Sequence, residues 1–142
     1  MSKAAREVTK QMIKIWDMTT TDWMGFLVED GMFSYHHLRV AKRNNGPITI
    51  YNGAVLCRLT GHPYLHIIEA HDRDKFLYLT KILIEVNDQR YMPTFDQLVK
   101  MEAVFTEFER EHSADINGNG DYLIKDTFEK RLVSKKDFYF LE

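Results

Sequence analysis

The chain has 142 residues, 44% hydrophobic and 28% charged, the proportions of one globular domain able to bury a core of useful size. Its 19 basic and 21 acidic residues leave a net charge of −2, so it lacks the positive excess common among free-standing DNA enzymes. A single cysteine, Cys57, excludes an internal disulfide and fits a reducing cytoplasm, no apolar run approaches the 18 residues of a membrane span, and the N-terminal MSKAAREVTK has no hydrophobic signal core.

Residues Lys3 to about Asp17 are predicted to be helical, with Val8, Met12, Ile15 and Trp16 as an apolar stripe. The threonines at 19–21 break that pattern and offer an N-cap for a short helix through Trp23, Phe26 and Leu27, stopping near Gly31. Both stripes read as core. MFSYHHLRV, around His36, reads as a strand. Asn44-Asn45-Gly46-Pro47 is a strong turn signal, and the apolar AVLCRL is a second strand in which Cys57 is a small buried hydrophobe. HPYLHIIEAH then starts a helix, with Pro63 in the first turn, where no backbone N–H is needed. Asp72 is the expected N-cap of the next helix, whose stripe is Phe76, Leu79, Ile82, Leu83 and Val86 and whose end lies near Asn87. Thr94 with Gln97 matches a capping box for a further helix bearing Leu98, Met101, Phe105 and Phe108. Glu107, Glu109, Arg110 and Glu111 form its solvated face, and His71 and His112 are taken as surface residues.

Four of the six histidines fall between Tyr35 and Glu69: the adjacent pair His36-His37 and the i,i+4 pair His62 and His66. Asn52 sits between the pairs, fifteen residues after His37 and ten before His62. On a helix, positions four apart share one face, so His62 and His66 can reach one ion. Three neutral imidazoles with an open fourth position suit Zn²⁺, Ni²⁺ or Mn²⁺ better than Ca²⁺. No Asp or Glu occurs from Gly31 to Ile68, and Arg39, Lys42, Arg43 and Arg58 give that window a local charge of +4, as contacts to phosphate require.

The order of strand with His-His, long loop with Asn, strand, and helix with His-x-x-x-His resembles the HNH, or ββα-metal, nucleases, most closely the branch that includes the colicin DNases. The stretch 33–69 also resembles HNH-like proteins of bacterial phages and mobile elements, with a likeness that runs on through DWMGFLVEDG and FEREH. The resemblance implies an α+β fold, a small two-stranded ββα-metal core packed among several helices, spanning residues 1–142 as one domain. It implies that His36, His62 and His66 hold a divalent ion (Zn, Ni, Mn or Mg), that His37 is the general base activating water, and that Asn52 braces the loop orienting that base. DNA is then the partner, hydrolysed as a phosphodiester, with Arg39, Lys42, Arg43 and Arg58 touching phosphates. The chain departs from many of these proteins in lacking a flanking Cys-x-x-Cys zinc ribbon.

Blander explanations stand beside this one. Adjacent strand residues point to opposite faces, so His36 and His37 also fit one core and one solvated histidine, and His62 and His66 also fit packing roles. A catalytically inactive HNH-like protein, binding and inhibiting a host or defence protein or a nucleic-acid complex, is the alternative function; a metal that merely staples the core is a third. Asp115, Asn117 and Asn119, followed by Gly120 and Asp126, also resemble a calcium loop, but Tyr122 stands where a small aliphatic is expected and Asp126 where Glu is usual. The competing assignment is a surface turn, with Asp126 capping a last helix. Phe138, Tyr139, Phe140 and Leu141 are expected to dock as a last strand or to meet another chain.

Overall fold

The computed structural model describes residues 1–28 and 32–112. The calcium-like stretch Asp115, Asn117, Asn119 and Asp126 and the aromatic tail lie outside the described residues. In chain order the elements are α1 (Lys3–Ile15), β1 (Phe33–His37), a 3₁₀ turn (Lys42–Asn44), β2 (Gly53–Cys57), α2 (Gly61–His71), α3 (Arg73–Gln89) and α4 (Phe95–His112). The fold class is α+β: four helices and one two-stranded antiparallel sheet among the described residues.

Local chemistry sets most of the ends. The Ser2 hydroxyl accepts the Ala5 N–H and starts α1. Asp17, at φ 54°, ends it: the Met18 N–H reaches back to the Ile13 carbonyl and the Asp17 N–H to Lys14, an αL cap made without glycine. Asp72 caps α3 by accepting the Lys75 N–H at 3.1 Å. Thr94 and Gln97 close the capping box in both directions, at 3.0 and 3.2 Å.

Of the expected stripe on α1, Met12 and Trp16 are buried and Val8 is half-buried, but Ile15 is exposed, and Ala5 and Thr9 complete the buried face instead. Trp16 sets the rotation: its indole N–H donates to the Val86 carbonyl of α3 at 3.0 Å and its ring lies 4.8 Å from that of Trp23.

The expected helix through Trp23 and Phe26 does not form; residues 21–28 make turns and an isolated bridge between Thr21 and Leu27. The cause is Asp22. Its buried carboxylate accepts the N–H groups of Met24 and Phe26, at 2.8 and 3.0 Å, and that of Cys57 at 2.7 Å. An aspartate that satisfies the backbone locally competes with helical bonding, and here it also ties the turn to β2. Gly61, the first residue of α2, leaves room for the same carboxylate: a Cβ there would lie 2.2 Å from Asp22 Oδ2.

β1 pairs with β2 so that Ser34 faces Leu56, His36 faces Ala54 and His37 faces Gly53. Every residue of β2, Cys57 included, is buried, because α1, α2 and α3 all pack against the strand. Phe26, Tyr64 of α2 and Phe105 of α4 form an aromatic triangle with centroids 5.3–6.0 Å apart, seating α2 on α4. α2 thereby gains a fixed position against the sheet, and its histidines a fixed distance from His36.

Candidate metal centre and adjoining base

Alternation along β1 turns Ser34 and His36 to one face and Tyr35 and His37 to the other. His36 is 5% exposed. Its ring centroid lies 5.2 Å from that of His62 and 5.4 Å from that of His66, and those two are 4.8 Å apart. One ligand nitrogen from each of the three lies within 4.8 Å of the others. A tetrahedral zinc–imidazole site places nitrogens roughly 3.3 Å apart, so binding would close the widest gap by about 1.5 Å or less, within the reach of side-chain rotation.

The donors are in the right state. Burial drives His36 down to about 3, helped by the neighbouring His62 and His66. Burial likewise lowers His62 to about 4, with His66 adding to it. Both imidazoles are therefore neutral at pH 7 and offer lone pairs, as a metal requires. Three nitrogen donors with no carboxylate in the group fit a borderline-soft ion such as zinc or nickel.

His37 stands apart from the trio but lines the same cleft, about 930 Å³ in volume. Its ring meets Tyr35 edge-on at 5.1 Å. Partial burial lowers its pKa, opposed by a hydrogen bond with the Gly46 backbone, so it too is neutral at pH 7 and free to accept a proton.

The loop that supplies Gly46 is held by Asn52, which is 2% exposed. Asn52 Oδ1 accepts the N–H groups of Arg39 and Val40, at 2.9 and 2.7 Å. Its Nδ2 donates to the carbonyls of Val40 and Pro47, at 2.9 and 3.0 Å. The Tyr35 hydroxyl adds a bond to the Thr49 carbonyl at 2.8 Å. Gly46 itself passes so close to the chain that a Cβ would lie 1.9 Å from the Val40 carbonyl oxygen.

Of the basic residues expected at phosphate, Lys42, Arg43 and Arg58 are exposed and line the cleft, and none forms an ion pair among the described residues. Arg39 also lines it, but its guanidinium is engaged by Asp88 at 2.6 Å, by Asn87 at 2.9 Å and by the Tyr51 carbonyl, and lies over the Tyr51 ring. Arg39 therefore fastens the Asn52 loop to the end of α3. Asn87, fully buried, joins it by donating to the carbonyls of Ile50 and Gly53, both at 2.8 Å.

Several site residues escape a reading by histidine spacing alone. Ser34 lies 2.8 Å from His62 Nδ1, and Glu69 lies 3.1 Å from His66 Nδ1. Arg73 lines the cleft from the start of α3, and the Phe76 ring packs edge-on to His36 at 6.5 Å. Ser34 (two before His36 on a strand) and Glu69 (three after His66 on a helix) share a face with their histidines, and that spacing was the available signal. His112 is half-buried against Phe108 at 4.3 Å, with exposed His71 5.6 Å away, and neither lines the cleft.

No protein-family model matches this chain, and no curated protein or solved structure matches it either. Among the described residues no helix is long and apolar enough to cross a membrane.

Proposed function

We propose that this protein is a metal-dependent DNA endonuclease of the HNH type, hydrolysing phosphodiester bonds. The observation that carries it is the convergence of His36, His62 and His66 within 4.8 Å, in a cleft that also holds the separately oriented His37. In this scheme the three imidazoles hold a divalent ion. When bound, that ion supplies positive charge beside the phosphate and stabilises the charge that develops during in-line displacement.

The remaining work belongs to the chain. His37 takes a proton from water as the water oxygen bonds to phosphorus and the P–O bond to the leaving sugar oxygen breaks. The Gly46 backbone orients the His37 ring, and Asn52 holds the loop that places Gly46. Lys42, Arg43, Arg58 and Arg73 draw the phosphate backbone to the cleft, where Glu69 is the one acidic lining residue among those described. A free, buried Cys57 is compatible with a reducing, cytoplasmic setting.

Plasmid cleavage by the parent and by His37→Ala, with Mg²⁺, Mn²⁺, Ni²⁺ and Zn²⁺ in turn, tests this. The parent should cut, and His37→Ala should lose on the order of 10²–10⁴-fold in rate while still binding metal. Equal cutting by both overturns the role of His37. No cutting by folded parent with any of these ions overturns the nuclease assignment and favours a protein that binds and inhibits another factor.

A further inference from the structure

The two helical histidines are not alone on their Nδ1 sides, and their partners differ in kind. Ser34 is buried and has a single hydroxyl proton. Its Oγ lies 3.2 Å from the Leu56 carbonyl oxygen and 2.8 Å from His62 Nδ1. A carbonyl only accepts, so both bonds are satisfied together only if the serine proton goes to Leu56 and His62 Nδ1 donates to Ser34. The lone pair of His62 is then on Nε2. His66 reaches the same arrangement by a shorter route: a carboxylate only accepts, so the Nδ1 facing Glu69 at 3.1 Å carries a proton, and in the neutral ring the lone pair is then on Nε2 as well.

Glu69 is otherwise hard to explain. It is the one acid among the described residues lining a cleft with five Lys or Arg side chains, and an acid there opposes phosphate. Among the described residues neither ring nitrogen of His36 has a hydrogen-bond partner, and its ring packs edge-on against those of His62, His66 and Phe76.

We infer that Ser34 and Glu69 are positioning residues that lock His62 and His66 in the Nδ1–H tautomer, presenting both Nε2 lone pairs to one transition-metal ion. This rests on the metal-site assignment above and deepens it. Outer partners of metal-bound histidines fix ring orientation and raise ligand basicity; their loss typically weakens metal binding by roughly 10–100-fold. Glu69, a charged acceptor, makes His66 the stronger donor of the two, and Ser34, a neutral one, mainly fixes the ring of His62.

The tautomers are read directly by long-range ¹⁵N–¹H imidazole spectra of the full-length, metal-free protein at pH 7.5. Both His62 and His66 should carry the proton on Nδ1. Ser34→Ala should release the bias of His62 alone, and Glu69→Ala that of His66 alone. Glu69→Gln, whose amide oxygen still accepts, should keep the His66 tautomer. Zn²⁺ affinity, measured by competition with a chromophoric chelator, should fall about 10–100-fold in Ser34→Ala and Glu69→Ala and less than that in Glu69→Gln, with unchanged melting of the metal-free proteins showing that the fold is kept.

Nε2–H tautomers in the parent, or tautomers indifferent to both alanine variants, overturn the inference. Zinc affinity that collapses as far in Glu69→Gln as in Glu69→Ala, with the His66 tautomer retained, makes Glu69 a direct ligand and overturns its positioning role. A parent with the expected tautomers that takes up no Zn²⁺ overturns the metal site and leaves the tautomer assignment standing.

Discussion

Two irregular segments of this molecule are each built around one buried polar side chain, and the side chains are close isosteres. The turn at 22–26 is organised by Asp22, the loop at 38–52 by Asn52. Among the described residues the hydrogen bonds to the Asp22 carboxylate all come from N–H groups, those of Met24, Phe26 and Cys57. Asn52 meets two N–H groups and two carbonyls. A carboxylate accepts only, whereas an amide both accepts and donates, so the backbone groups on offer decide which residue fits. The choice also sets the electrostatic consequence. Burial pushes Asp22 up to about 6, against the pull of its hydrogen bonds, while the neutral Asn52 carries no such penalty beside the candidate base.

Exchanging the two side chains breaks this comparison most strongly at the loop. In Asn52→Asp the carbonyls of Val40 and Pro47 would face a buried charge and lose their donor. We expect a loss of about 4 kcal/mol by denaturant unfolding, and at least about 100-fold in cleavage where fold is retained, since His37 loses its aim. Wild-type-like stability would show that the loop does not depend on the amide's donor.

Asp22→Asn ranks next. The new amide would point N–H toward the Cys57 N–H, but relief of the buried charge offsets part of that, so about 2 kcal/mol is expected at pH 7. The sign with pH is then fixed. Because the folded carboxyl titrates above its unfolded value of 3.8, its contribution is fully present below pH 3.8 and is lost as pH rises through about 6. The stability gap between parent and Asp22→Asn should therefore narrow from pH 4 to pH 7, and a gap that widens would refute the raised value. His36 and His62, lowered to about 3 and 4, act oppositely in the metal-free protein, destabilising it as pH falls below 6.5; being common to both proteins, they cancel in the difference. Thr49→Val should have the smallest effect, about 1 kcal/mol or less, by removing the acceptor of the Asn52 backbone N–H at 3.1 Å while leaving all four bonds of the side-chain amide.

How much of this was legible beforehand varied with the range of the interaction. The helix at Asp72, the capping box at Thr94 and the two strands follow from signals within a few residues and stand in the structure. The short helix through Trp23 does not form, because the Asp22 carboxylate reaches Cys57, thirty-five residues away, and holds the chain in a turn. The apolar stripe of α1 was misplaced by one flank, since the bond from Trp16 to Val86 sets the rotation of the helix.

The candidate site divides in the same way. By itself the sequence determined which histidines are available and in what order, because strand alternation and the helical repeat are local geometry: His36 on one face of β1, His62 and His66 on one face of α2. Only the tertiary structure decided that these faces meet, that Ser34 and Glu69 stand behind the two helical imidazoles, and that Arg39 is bound to Asp88 rather than left beside its basic neighbours. The physical reason is that a side chain's hydrogen-bond partner is set by what packing brings within about 3 Å of it, and packing joins residues from distant parts of the chain.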